Sequence, residues 1–520
     1  MQGCIIDGAT VKGATGTISA APALALDPTD EQAWQMDAWL ATGGSLGWFG
    51  SEDYDAARFV LQRGIAAIYL VAFVTALRQF PALLGERGLL PVPRLLGRVP
   101  GKAVPTLFRF GYSDRRLRLM CWVGIALAAT VVVGLPQAGP PWLPMIAFGG
   151  MYVLYLSIAT VGQVFYGFGW ESLLLEAGFL AAFLGSDQVP TPIIVIFAFR
   201  WLAFRVEFGA GLIKIRGDSV WRDLTALYYH HETQPMPGPF SWHFHHLPKP
   251  LHKVEVAANH VVQLVVPFLL FAPQPVATWA AAAVILTQAW LVVSGNFAWL
   301  NWLTMLIAFS AVDDGVLSAL IPTLAPTGAT RPTPAAFAVV VAIVGLLTLV
   351  LSYWPVRNLI SRHQRMNASF NRWHLVGAYG AFGSITRRRH EIVVEGTTAA
   401  DPGASDWREY VFAGKPGPVD RRPRQFAPYH LRLDWGMWFL GLGSTSQYAW
   451  FDPFLDRLLA ADPATLRLLK DDPFDGERPA WVRARVFAYR YSTPTERRRT
   501  GAWWVRREIT ELARPRRLAP

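Results

Sequence analysis

Cysteine is almost missing from this chain: Cys4 sits in the N-terminal tail and Cys121 inside an apolar run, so no disulfide framework and no Cys-x-x-Cys pair can be assembled. Thiol redox chemistry has almost nothing to work with. Equally absent are a Gly-rich phosphate loop, a Gly-x-Ser-x-Gly nucleophile elbow and a His-Glu-x-x-His helix, so motifs name no reaction and no cofactor is expected. The first 35 residues have neither a basic start nor a solid apolar stretch and do not read as a cleaved signal; Met36 offers an alternative start.

Long apolar runs are absent after Trp354 and frequent before it. A hydrophobic content of 52% and a mean hydropathy of +0.26 do not by themselves separate a membrane protein from a large soluble one. The distribution does. Runs near 59–84, 119–138, 144–163, 166–185, 190–212, 256–272, 276–294, 298–321 and 335–355 approach the roughly 20 residues that cross a hydrocarbon core of about 30 Å. They predict a multi-span α-helical membrane bundle of about nine transmembrane helices, occupying residues 57–355 after an N-terminal tail and entry segment over 1–56. Short runs beside Gly and Pro leave room for broken or re-entrant helices.

Charge divides at the same place. Residues 356–520 hold 28 of the 48 Lys and Arg but 17 of the 37 Asp and Glu, so the formal net charge of +11 belongs to this segment. An anionic lipid surface or an acidic partner fits it better than nucleic acid, since no binding motif accompanies the scattered Arg. Runs at His390–Gly396, Trp407–Ala413 and Val482–Tyr491 predict strands, and Leu455–Lys470 a pair of short helices, giving a soluble β-rich (α+β) C-terminal domain over 356–520. The loop 85–118 is dense in Lys and Arg, Lys102 among them, which places it in the cytoplasm by the positive-inside rule. Nine spans then put the C-terminus on that same side.

Two constellations stand out. In the segment 190–216, Arg200, Glu207 and Lys214 are spaced seven apart and so drift only about 20° per step, forming one intramembrane stripe, with Arg205 off it. Ionisable groups there must face protein or water. The favoured reading is a buried ion pair in which Glu207 meets Arg200, Lys214 or a base on another helix. The functional alternative is a polar cavity, with Glu171 and Glu176 of the preceding span as its candidate wall. The second constellation is a His-rich loop within 213–255, containing His230, His231, His243, His245, His246 and His252. Pro235, Pro237, Pro239, Pro248 and Pro250 predict a rigid, non-helical connector, and His beside Trp and Tyr suits interfacial packing. A metal is the lesser reading, with His230, His231, His243, His245 and His246 as candidates, because their spacing matches no zinc signature.

Several stretches carry a resemblance. GQVFYGFGWESLLLEAGFLAAFLG, RWLAFRVEFGAGLIKIRGDSVWRDLTALYYHHETQPMPGPFSWHFHHLP and, further on, GAYGAFGSITRRRHEIVVEGT and FDPFLDRLLAADPATLRLLKDDPF closely resemble the lipase maturation factor family. Matches run in order from about residue 47 to 508. The resemblance implies a multi-pass membrane protein which, in eukaryotes, sits in the endoplasmic reticulum and assists folding and assembly of secreted lipases. It implies distant kinship with the membrane domain of vitamin K-dependent γ-carboxylase as well. The chain departs from the family pattern at Ala226, where the family has a cysteine, and at Gly436, where a larger polar residue is usual. The eukaryotic proteins direct their conserved region to the lumen, opposite to the side that loop charge predicts here.

The expected partners are therefore the lipid bilayer and a client protein such as a lipase, with nucleic acid not expected and oligomeric state open. Arg-, Ala- and Pro-rich composition points to a bacterial plasma membrane. Two function classes remain: a maturation factor that holds a client, with Trp407, Trp435, Trp438, Trp503 and Trp504 as apolar contacts or as core, and a membrane enzyme acting on a lipid or peptide within the bundle.

Overall fold

The computed structural model of the protein describes residues 49–100, 104–321, 331–403, 406–443 and 449–518, which belong to one compact unit. Cys4, Met36 and Lys102 lie outside the described residues.

Each predicted apolar run contains helix. The main elements are α1 (Asp55–Leu84), α2 (Asp114–Val132), α3 (Trp142–Thr160), α4 (Gly169–Ala181) and α5 (Ile193–Arg216). After the connector come α6 (Leu227–Thr233), α7 (Lys249–Leu264), α8 (Val276–Ser294), α9 (Leu300–Ala308) and α10 (Ala335–Leu351). Among the described residues four helices are long and apolar enough to cross a membrane: Asp55–Leu84, Trp142–Thr160, Val276–Ser294 and Ala335–Ile360, the last being α10 with its continuation. A fifth crossing arises if Leu300–Ala311 and Asp314–Leu320, bent by 102°, count as one span. The other runs fall short for local reasons. α4 has only 13 residues, α2 opens on Arg115, Arg116 and Arg118, and α5 and α7 carry several charges each.

Outward-facing apolar side chains mark the lipid-exposed surface. On α10 Ile343, Leu346, Leu349 and Val350 are all at least 60% exposed, an inversion of the soluble pattern that is stable only against hydrocarbon. The bent pair also caps the first span: the Asp55 and Ala56 N–H groups donate to the Asp314 carboxylate at 2.7 and 3.1 Å, an acceptor placed where the helix dipole is positive.

The predicted non-helical connector is not helix-free. Ser219–Arg222, α6 and Ser241–His245 are helical, because Pro235, Pro237 and Pro239 punctuate between helices and Pro250 sits in the first turn of α7, where a missing N–H costs nothing.

In the C-terminal region β1 (Arg389–Thr397), β2 (Arg408–Glu409), β3 (Trp481–Tyr491) and β4 (Trp504–Arg516) form an antiparallel sheet in the order β2-β1-β3-β4. Ile392 pairs with Val486 and Val394 with Ala484, which sets the register. Short helices at Phe451–Leu459 and Pro463–Leu466 fill the predicted 455–470 stretch, and a further helix, α11 (Arg432–Gly441), was not foreseen. One core is built from Val393, Phe487, Tyr489, Tyr491 and Trp504 of the sheet together with Trp503 and Trp242, the last from the connector. Each such buried aromatic is worth roughly 2–3 kcal/mol of apolar burial, so the sheet and the connector stabilise one another.

Candidate functional site

Glu207, on the inner face of α5, is 1% exposed. Gln288 Nε2 donates to its Oε1 at 2.6 Å and Gln263 Nε2 to its Oε2 at 3.2 Å. Gln263 is a relay, since its own Oε1 accepts from Lys214 Nζ at 2.9 Å, and Asn259 Oδ1 accepts from the same ammonium at 2.9 Å. Gln288 in turn accepts from Asn301 at 2.6 Å. Thus Glu207 and Lys214 share one amide in place of the expected direct ion pair. Arg200 is not part of this group: its guanidinium donates to the Ser310 and Leu270 carbonyls at 3.3 and 3.2 Å, and its Nη2 has no partner among the described residues. The stripe is continuous on the helix but meets two different neighbourhoods, because α7 and α8 flank only its C-terminal part.

The two α4 carboxylates face elsewhere. Glu176 forms a buried ion pair with Arg205, the residue off the stripe, and accepts from the Tyr379 hydroxyl at 2.6 Å and the Gly377 N–H at 3.0 Å. The 377–383 segment reaches this place because Gly209 has no side chain; a Cβ there would collide with the Tyr379 carbonyl. Glu171 accepts from Arg432 Nη1 at 2.8 Å and from the Tyr155 hydroxyl, while Arg432 lies 3.4 Å above the Tyr166 ring. Gln79 clamps the same strand of chain, donating to the His430 carbonyl at 2.7 Å and accepting from the Arg432 N–H at 2.9 Å. His430 is enclosed by Phe168, Trp170, Trp299 and Trp435, and burial, reinforced by Arg432, pushes its pKa down to about 4, so it is neutral at pH 7. A third buried pairing anchors the connector: Glu391 meets Arg389 at 2.6 Å and Lys415 at 2.9 Å, and Arg389 also donates to the Glu232 and Pro235 carbonyls. Sequence reasoning named none of Arg432, Tyr379, Arg389 or Lys415 as a partner.

The histidines do not converge as a set. His230 packs against Phe382 and Phe297, and burial lowers its pKa to about 4. His245 Nε2 lies 3.7 Å from Glu232, while His246 stacks on Trp242 and places Nδ1 2.8 Å from the Trp242 carbonyl. His243 stands exposed beside Trp503. Of the five histidines weighed for a metal, His231 alone joins a group with ligand spacing among the described residues: it, His252 and Glu255 offer atoms within 4.8 Å of one another. Glu255 gave a signal in the sequence, because it follows His252 by three residues and so shares its helix face.

Trp435, Trp503 and Trp504 are buried core, whereas Trp407 and Trp438 are half-buried. Ala226 is fully buried against Trp221 and Val256, and Gly436 is crowded by Trp450, whose ring would lie 3.2 Å from an added Cβ. Among the described residues, the cleft beside Glu176 and Leu347 measures about 10 Å³, room for about one water.

Comparison with known proteins covers both halves of the chain. Residues 56–319 match the lipase maturation factor transmembrane domain and residues 375–514 the lipase maturation factor C-terminal domain. The chain is 39% identical to lipase maturation factor 1 of Bos taurus over 496 residues, covering 87% of each chain. It is 39% identical over 494 residues to lipase maturation factor 1 of Homo sapiens, covering 87% of this chain and 86% of that one. Against lipase maturation factor 2 of Homo sapiens it is 28% identical over 594 residues, covering 88% and 82%. No solved structure matches.

Proposed function

This chain belongs to the lipase maturation factor family, and on that premise we propose that it assists the folding and maturation of secreted or membrane client proteins, lipases foremost. The observation that carries this reading is likeness over nearly the whole length to proteins named for lipase maturation, in the membrane and C-terminal parts alike. The test is co-production with a secreted lipase in cells lacking their own factor. Lipase specific activity, activity per unit of secreted mass, should rise with this chain present; unchanged specific activity at equal chain abundance rejects the proposal. The enzyme alternative needs a base beside a substrate cavity, and the buried carboxylates of α4 and α5 are instead taken up by protein partners.

In this reading the chain is organised as 1–56, 57–355 and 356–520, and it crosses the bilayer about nine times. The charged helices α4 and α5 count as spans because their ionisable groups meet protein partners rather than lipid, and α7 because its exposed Lys249 and Lys253 stand near its N-terminal end, where lysine reaches the interface. The polar stripe of Arg200, Glu207 and Lys214 and the α4 pair Glu171 and Glu176 then hold the bundle in register. Composition favours a bacterial plasma membrane. The 85–118 loop and the C-terminal region share one side, since Arg457 donates to the Arg87 carbonyl at 2.5 Å. Reporter fusions after Arg98 and after Pro520 should give the same answer, cytoplasmic by loop charge; opposite answers would overturn the shared side.

A further inference from the structure

We propose that His231, His252 and Glu255 form a binding site for a borderline divalent transition-metal ion, zinc being the first choice. The three residues come from two elements that the ion would tie together: His231 from α6, and His252 and Glu255 from one face of α7. Their ligand atoms lie within 4.8 Å of one another. Tetrahedral ligands about 2.0–2.1 Å from zinc stand roughly 3.3 Å apart, so small side-chain rotations close the set.

A second, independent observation points to a ligand. His231 is 1% exposed and neither of its ring nitrogens has a hydrogen-bond partner among the described residues, and His252, 2% exposed, leaves Nδ1 without one there. Buried polar atoms are ordinarily satisfied, and these two imidazoles face each other with ring centroids 5.6 Å apart. What surrounds them resembles the outer shell of a metal site. His252 Nε2 lies 3.5 Å from the His245 carbonyl, an acceptor that favours the tautomer with its proton on Nε2 and its lone pair on Nδ1. Trp290 Nε1 donates to Glu255 Oε1 at 2.7 Å, orienting the carboxylate and leaving Oε2 for a cation. Two imidazoles and one carboxylate suit zinc or ferrous ion and disfavour calcium and magnesium, which take oxygen ligands.

The experiment uses the full-length chain in detergent, purified without a polyhistidine tag, stripped with chelator and then given Zn²⁺ or, anaerobically, Fe²⁺. Elemental analysis should find about one equivalent of metal per chain, and zinc should raise the thermal midpoint. His252→Ala and Glu255→Gln should lose the metal and the rise, while His243→Ala, exposed and outside the trio, should keep both. Iron retained in preference to zinc identifies the ferrous member of the same class. Trp290→Phe leaves every ligand in place and should weaken binding about 10–100-fold, which decides the matter even if a ligand variant fails to fold. Absence of metal from the wild-type chain, metal retained by both ligand variants, or unchanged affinity in Trp290→Phe overturns the site.

Discussion

Glu171 and Glu207 are buried to the same degree, 2% and 1% exposed, on adjacent helices, yet the protein neutralises them by different means. Where α4 meets the C-terminal region, Glu171 takes the guanidinium of Arg432 and Glu176 that of Arg205. Between α5, α7 and α8, Glu207 takes two side-chain amides, with Lys214 one residue removed. The first arrangement joins segments that are 261 residues apart and leaves a bare charge if either partner goes. The second spreads one charge over a chain of dipoles, each replaceable at lower cost.

The largest effect should therefore follow from breaking the first arrangement. Arg432→Met strands Glu171 in a dry site and should cost about 3–5 kcal/mol, the usual penalty for half of a buried pair. Thermal unfolding in detergent measures it, and Glu171→Gln in the same chain should recover part of the loss. Recovery is the diagnostic, because loss of packing by the Arg432 stem would persist in the double variant.

Glu207→Gln should cost less, about 1–3 kcal/mol. The variant keeps one carbonyl acceptor for Gln288 or Gln263 and sets an amide N–H against the other. If it proved as damaging as Arg432→Met, the amides would not be the effective partners of Glu207, and Lys214 would be acting through Gln263 as a true counter-ion. Adding Lys214→Met to the Glu207→Gln variant would then restore stability.

The contrast also explains what could be read in the sequence. Apolar runs were legible because burial in lipid is a local, additive property of about 20 consecutive residues, and every predicted run does contain helix. The count of crossings was not, since length and composition alone pass only four or five of those helices. Seven-residue spacing placed Arg200, Glu207 and Lys214 on one stripe, but spacing within one helix says nothing about which helices lie opposite. Arg205, off the stripe, pairs with Glu176, which the sequence offered only as the wall of a polar cavity. The strand Trp504–Arg516 was missed because it is an edge strand whose charges, among them Arg507, Glu508 and Glu511, fall on both faces and erase the alternation. Of the five histidines singled out for a metal, only His231 stands in the cluster with ligand spacing, and its companions His252 and Glu255 begin a helix that Pro248 and Pro250 had seemed to forbid.

The smallest effect belongs to the solvent-facing end of the same seam, where α5 ends and the 383–387 segment returns. Asp218 accepts from both terminal nitrogens of Arg387 at 2.7 Å, from the Ile385 N–H at 3.2 Å and from the Val220 N–H at 3.3 Å, capping the Ser219–Arg222 turn. Asp218→Asn should cost about 1 kcal/mol, roughly the value of a cap, and the Arg387 pair adds little because its guanidinium is 41% exposed and screened by salt. The sign of the pH dependence follows from the carboxyl, which hydrogen bonds from Arg387 hold below its ordinary value of about 3.9. A depressed acid stabilises the folded state fully above its unfolded pKa and loses that contribution as the pH falls through the folded one. The gap between wild type and Asp218→Asn should thus be constant from neutral pH down to about 5 and shrink only below about 4. Taking the difference cancels the other carboxylates, which both chains share. A gap that shrank already between pH 7 and 5 would mean that Asp218 is not held in its charged form, and that this end of the seam, unlike Glu171 at its buried end, is not an electrostatic joint.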